Sequence, residues 1–239
     1  MEKDRRARVI AIAALLVGVV GLSLGFAAFT NTLTISSSAE VTVDDSTFNV
    51  DFSTQSASVQ GGTVTPTLSP ASGEPAAFTG ANATIDNTPA GAPTITGLHA
   101  TFAKPGETVT YTFYTKNAGA IKAYLTSVNF ANVSGESATK KCTAKTVTSP
   151  ATPATDSLVQ AACNGISLTV ALGPTGSAES FTATKARAAF TTATAHDLEA
   201  DAYEQVVVTI AYAANSAQAD GDFDVAFGDV TLNYSSVAS

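Results

Sequence analysis

Residues 108–116 read T-V-T-Y-T-F-Y-T-K. Val109, Tyr111 and Phe113 fall on one face and Thr108, Thr110 and Thr112 on the other, the period of two that marks a half-buried strand. The same alternation flanks this stretch, with Leu98, Ala100 and Phe102 before it and Ile121–Phe130 after it. Lys104-Pro105-Gly106-Glu107 joins the first two runs, with proline and glycine at the central positions of a type II turn. Asn117-Ala118-Gly119 makes the second turn. Strands joined by such short turns predict a β-meander. Downstream, Ile166, Leu168, Val170 and Leu172 alternate up to Gly173-Pro174, and Val206, Val208, Ile210 and Tyr212 form another apolar face. In the last segment Phe223, Val225 and Phe227 are odd-numbered, whereas Val230, Leu232 and Tyr234 are even. That change of parity at Gly228-Asp229 predicts a β-bulge.

Upstream, Asp44-Asp45-Ser46 reads as a turn and Phe48, Val50 and Phe52 as a strand. Glycine and proline punctuate 53–97 among recurring apolar residues, which predicts short edge strands and loops. The Ala- and Thr-rich stretch Ala183–Phe190 is compatible with a short helix or a strand. About nine or ten strands emerge without βαβ alternation. The expected fold is all-β: an antiparallel two-sheet, jelly-roll-like sandwich spanning 45–239.

Composition agrees. The chain has 239 residues, of which 13% are charged, and its net charge is −8. Residues 1–8 hold four basic and two acidic side chains, and 9–27 hold none, so the remainder carries −10. An acidic body repels phosphate backbones, which argues against nucleic acid as a partner. Cys142 and Cys163 lie in a polar stretch, about 131–165, that reads as an insertion. Their spacing matches no metal motif. Two free thiols are one reading; in an exported chain a disulfide is the favoured one.

Export is argued from the N-terminus. Lys3, Arg5, Arg6 and Arg8 precede an apolar run of about 20 residues, intermediate between the core of a signal peptide and a membrane span. The basic cluster stays cytoplasmic by the positive-inside tendency. Gly25-Phe26-Ala27 supplies the small-x-small pattern of a cleavage site between Ala27 and Ala28. Residues 1–27 are therefore expected to be a signal peptide, or a helical signal anchor holding the chain to the membrane through 9–29 if uncleaved. Either way the rest lies outside the cytoplasm. Residues 28–44 alternate again: Phe29, Leu33, Ile35, Val41 and Val43 share an apolar face, with polar residues between them.

No catalytic constellation appears, and neither a catalytic, a cofactor nor a metal site is expected. His196, in H-D-L-E-A-D, has acidic neighbours but no second histidine at metalloprotease spacing, and reads as part of a solvated acidic loop. His99 sits on the polar face of a strand. Asp220-Gly221-Asp222-Phe223-Asp224 opens like a calcium loop, yet Val225 and Thr231 stand where that loop needs Gly and Glu, so a hairpin turn is favoured over weak calcium binding.

Three features together resemble the TasA/camelysin family of bacterial biofilm-matrix proteins: the leader ending Gly25-Phe26-Ala27 before a polar strand, the run Leu98–Gly119, and the closing pair Glu204–Tyr212 and Phe223–Tyr234. The resemblance covers about half of the chain. It implies a jelly-roll subunit, trimmed by a signal peptidase, that assembles with itself into extracellular fibres. It also implies that the freed N-terminal segment, through Phe29, Leu33, Ile35, Val41 and Val43, fills a groove in the next subunit. An open sheet edge invites strand addition, and an amphipathic strand at a free terminus can supply it. The alternatives are that this strand pairs within its own sheet, or that the chain is a membrane-anchored monomeric surface module for binding or adhesion.

Overall fold

Thr108–Asn117 is a ten-residue strand, β8, with Val109, Tyr111 and Phe113 fully buried. Its antiparallel partner on one side is β14 (Tyr203–Tyr212), followed outward by β11 (Ile166–Leu172) and β12 (Glu179–Phe181). On the other side lie β1 (Val50–Ser53), pairing with 114–117, and β3 (Thr67–Ser69), pairing with 108–110. These six strands form the first layer. The computed structural model describes residues 47–56, 61–72, 78–145, 154–174 and 178–237.

The facing layer consists of two sheets. One has the order β10 (Lys140–Ala144), β15 (Phe223–Phe227), β7 (His99–Phe102), β4 (Thr79–Gly80). The other runs β13 (Lys185–Ala186), β9 (Tyr124–Phe130), β16 (Val230–Ser235), β6 (Thr94–Thr96), β5 (Ala83–Asp86), β2 (Gly62–Val64). The chain passes from β6 into β7 and from β15 into β16, and the two passages run side by side, so the sheets are halves of one bent layer. The architecture is thus an antiparallel β-sandwich of three sheets. The parity change at Gly228-Asp229 is this bend, not a bulge. A Cβ on Gly228 would collide with the carbonyl oxygen of Ala131, so the crossing needs glycine. The register shift proper lies further on, between Asn233 and Tyr234.

Aromatic side chains join the layers. Tyr212 of β14 packs edge-on to Phe102 and Phe223, ring centroids 5.9 and 5.5 Å apart. The Tyr111 hydroxyl crosses to the carbonyls of Ala81 and His99 at 2.9 and 3.2 Å, and burial pushes its pKa up to about 12.

The expected meander does not form. β7, β8 and β9 follow one another in sequence, but each belongs to a different sheet. The first turn has the anticipated shape: Gly106 takes φ +99°, and Glu107 N–H reaches the Lys104 carbonyl at 3.4 Å. Yet Gly106 N–H donates to Tyr212 O at 2.7 Å, and Tyr212 N–H to Glu107 O at 2.9 Å. The chain therefore joins β14 on leaving the turn instead of folding back on β7. Layers packed about 10 Å apart are bridged by arches of this kind. At the second turn, buried Asn117 holds the arch through Nδ2 to the carbonyls of Ile121 and Leu198, at 2.7 and 3.0 Å.

The stretch read as an insertion supplies regular structure. It contributes β10 and helix α1 (Asp156–Cys163), which packs Val159, Ala162 and Cys163 inward. Ala183–Phe190 is partly both readings, a two-residue strand and a single 3₁₀ turn. The leader, the Ala27–Ala28 junction and the face formed by Phe29, Leu33, Ile35, Val41 and Val43 lie outside the described residues. Among the described residues, no helix is long and apolar enough to cross a membrane.

Candidate functional site

The strand β11 has an incomplete partner. Gly165 O accepts from Ala213 N–H at 2.9 Å, and Gly173 N–H donates to Gln205 O at 3.0 Å. By the alternation of an antiparallel ladder, odd-numbered residues of β11 turn their main-chain groups to β14 and even-numbered ones turn theirs away. Val170 and Leu172 meet β12 on that far side. The Ile166 carbonyl accepts from the Lys140 ammonium at 2.7 Å. Leu168 N–H and C=O face an edge on which no described strand lies. Here β12 has already turned away, because Lys185 and Ala186 pair with β9 in the other layer.

A cavity of about 220 Å³ opens beside this edge. Its lining is half apolar, from Ile166, Leu168, Phe130 and Phe227, and half polar, from Thr139, Lys140, Ser167 and Thr182. It lies where the bent layer breaks between β9 and β10. An engineered cavity of about 150 Å³ holds benzene, so this one has room for one or two aliphatic side chains.

The margin is braced covalently. Cys142 in β10 and Cys163 at the end of α1 form a disulfide, as expected, with Cα atoms 6.0 Å apart. Since β11 starts three residues after Cys163, the bond links the two layers at the mouth of the cavity. Lys140 Nζ donates to both the Cys163 and Ile166 carbonyls at 2.7 Å. Burial lowers its pKa from the usual lysine value, and no carboxylate among the described residues offsets this. A disulfide belongs to an oxidising compartment such as the extracellular space.

Other edges are closed by side chains. Asn87 caps β1, accepting from Phe52 N–H at 2.8 Å and donating to Phe52 O at 3.0 Å. On β10 the outward Cys142 carbonyl takes Gln160 Nε2 at 3.2 Å.

His196 corrects the reading of a solvated loop, for it is 2% exposed. Its Nδ1 lies 2.8 Å from Glu204 Oε1 and its Nε2 3.2 Å from Glu179 Oε2. Burial disfavours the imidazolium, but the bonds and charges of Glu204 and then Glu179 outweigh it, and the pKa is raised. Burial likewise opposes ionisation of Glu179, yet donors from Thr191, Thr192 and His196 bring it down to about 2. Both ring nitrogens are thus occupied, leaving neither open to a metal or a substrate. Beside it Arg187 holds Asp197 in a two-point pair at 2.7 and 3.2 Å. This cluster pins the segment from β12 to β14 across the end of the sandwich. Sequence spacing hid it, because Glu179 and Glu204 reach His196 only through the fold.

The calcium-like acids are dispersed. Asp220 takes Thr155 N–H at 2.7 Å at the start of α1, Asp224 takes the Thr101 hydroxyl at 2.6 Å, and Asp222 lies 3.9 Å from Lys145. Among the described residues, no group of three or more His, Cys, Asp or Glu is placed to hold a metal ion. Comparison with protein-family models, curated proteins and solved structures finds no match.

Proposed function

We propose that this chain is an exported structural subunit that assembles with copies of itself into extracellular fibres of the biofilm matrix or cell surface. The segment Ala28–Asp44, freed by a signal peptidase, adds as a strand to the open edge of β11 in the next copy. The observation that carries the reading is that edge: main-chain groups of Leu168 with no partner strand among the described residues, beside a half-apolar cavity sized for one or two side chains. Main-chain bonds there would supply affinity, and side-chain insertion the register. Each copy donates at one end and accepts at another, a contact that does not close, so filaments result. The likeness of the leader, the central run and the closing strands to the TasA/camelysin family supports the same reading. The role is structural, with no catalysis by the chain.

Deleting Ala28–Ile35 from the processed protein is expected to abolish filaments in electron micrographs while leaving the sandwich soluble. Filaments that persist in the deletion would defeat the proposal. The apolar run Val9–Phe29 favours a second reading, a membrane-anchored monomeric surface module for binding or adhesion. Mass spectrometry of the native N-terminus separates the two, since a chain starting at Ala28 has lost the anchor.

A further inference from the structure

The cavity beside β11 carries an unbalanced charge. An ammonium has three protons to donate. Lys140 gives two of them to the carbonyls of Cys163 and Ile166. It lines the cavity, is half-buried, and has no carboxylate beside it among the described residues. A half-buried cation with no counter-charge beside it favours an occupant that brings one. We propose that Lys140 determines which segment the cavity accepts, and that it does so by pairing with the Glu40 carboxylate of a second copy. This inference rests on the assembly reading above.

Three observations select Glu40. First, the segment proposed to dock, 28–44, contains two acidic residues, Glu40 and Asp44. Second, Glu40 lies inside the alternating run, between Ala39 and Val41, whereas Asp44 stands at its end. Third, reach decides among the acids. Thr47 is tied to its own sandwich, its carbonyl accepting from Ala120 and Ile121 N–H at 3.0 and 3.2 Å. A fully extended chain spans about 3.3 Å per residue, so Asp44 and Asp45 can reach no further than about 10 Å from that anchor, whereas Glu40 has a reach of about 23 Å, enough to enter a neighbour.

The test uses the export-processed chain, with filament formation followed by sedimentation and electron microscopy at low salt. Lys140→Gln is expected to raise the critical concentration at least about tenfold, the factor carried by 1.4 kcal/mol. Lys140→Arg keeps the charge and stays near the parent. Lys140→Glu alone should fail to assemble, and combining it with Glu40→Lys should restore filaments. Glu40→Gln, which changes no described part of the sandwich, should match Lys140→Gln and covers the case in which that variant does not fold. Unchanged critical concentrations in both Gln variants, or no recovery in the charge swap, would overturn the role of Lys140 while leaving assembly standing. A parent chain that forms no filaments would overturn the assembly reading and this one with it.

Discussion

His196 illustrates how a single residue couples folding to pH. Its pKa is raised in the folded state, so the pair with Glu204 and Glu179 contributes stability fully below the unfolded value of about 6.5 and loses it as pH rises through the folded value. Glu179 works in the opposite direction. Its folded pKa of about 2 means that its contribution is present above its unfolded value and disappears as pH falls towards 2. His196→Ala leaves two carboxylates buried without their cation and should cost about 3–5 kcal/mol near pH 6. The gap between parent and variant, measured by urea unfolding, should narrow as pH rises through the folded pKa of His196. A gap that stayed constant into alkaline solution would mean that the histidine is held neutral.

At the scale of elements, the edges of the first layer are managed in different ways. An amide side chain closes β1, where Asn87 supplies the donor and acceptor that a neighbouring strand would offer. Asn87→Ala should cost about 1–3 kcal/mol in urea unfolding, because the Phe52 main-chain groups lose their partner in a buried setting. A smaller cost would mean that water replaces the amide. The mouth of the β11 cavity is braced instead by a bond between β10 and α1. Replacing both Cys142 and Cys163 by serine removes a cross-link over a 21-residue separation, and the chain-entropy model gives a loss of about 3 kcal/mol. For a domain of this size that lowers the thermal midpoint by roughly 6–12 °C. A midpoint unchanged by the double substitution, or by reductant, would show that α1 and Lys140 hold the layers without it.

Across the whole molecule, the charge balance sets how copies meet. Without residues 1–27 the chain carries a net −10, so subunits repel one another at low ionic strength, while the pair proposed at Lys140 attracts. Moderate salt should therefore speed the encounter of copies, yet the parent should lose more filament stability with added salt than Lys140→Gln does. Turbidity against salt concentration for the two proteins reads this difference, and parallel curves would argue that the contact is purely apolar.

Much of this was legible without coordinates. Period-two alternation identified β8, β11, β14, β15 and β16 because each has one face on the core, and burial on one side writes itself into sequence. The Lys104–Glu107 turn was legible because only glycine adopts its φ of +99° without strain. The pairing was not legible, since alternation says which side of a strand is buried but not which strand lies beside it. β7, β8 and β9 therefore resembled a meander, although their arches place them in three sheets. The bend at Gly228-Asp229 and a bulge leave the same parity signature, and only the close approach of Ala131 to Gly228 distinguishes them. The sequence by itself determined that the chain is a β-sandwich and that its two cysteines suit a disulfide, because local alternation, turn chemistry and composition are properties of neighbouring residues. Tertiary structure alone decided the buried Glu179–His196–Glu204 cluster and, among the described residues, the strand edge left open at Leu168 and the lack of a carboxylate beside Lys140. Each of these depends on groups distant in sequence, whose meeting is set by how the layers close over one another.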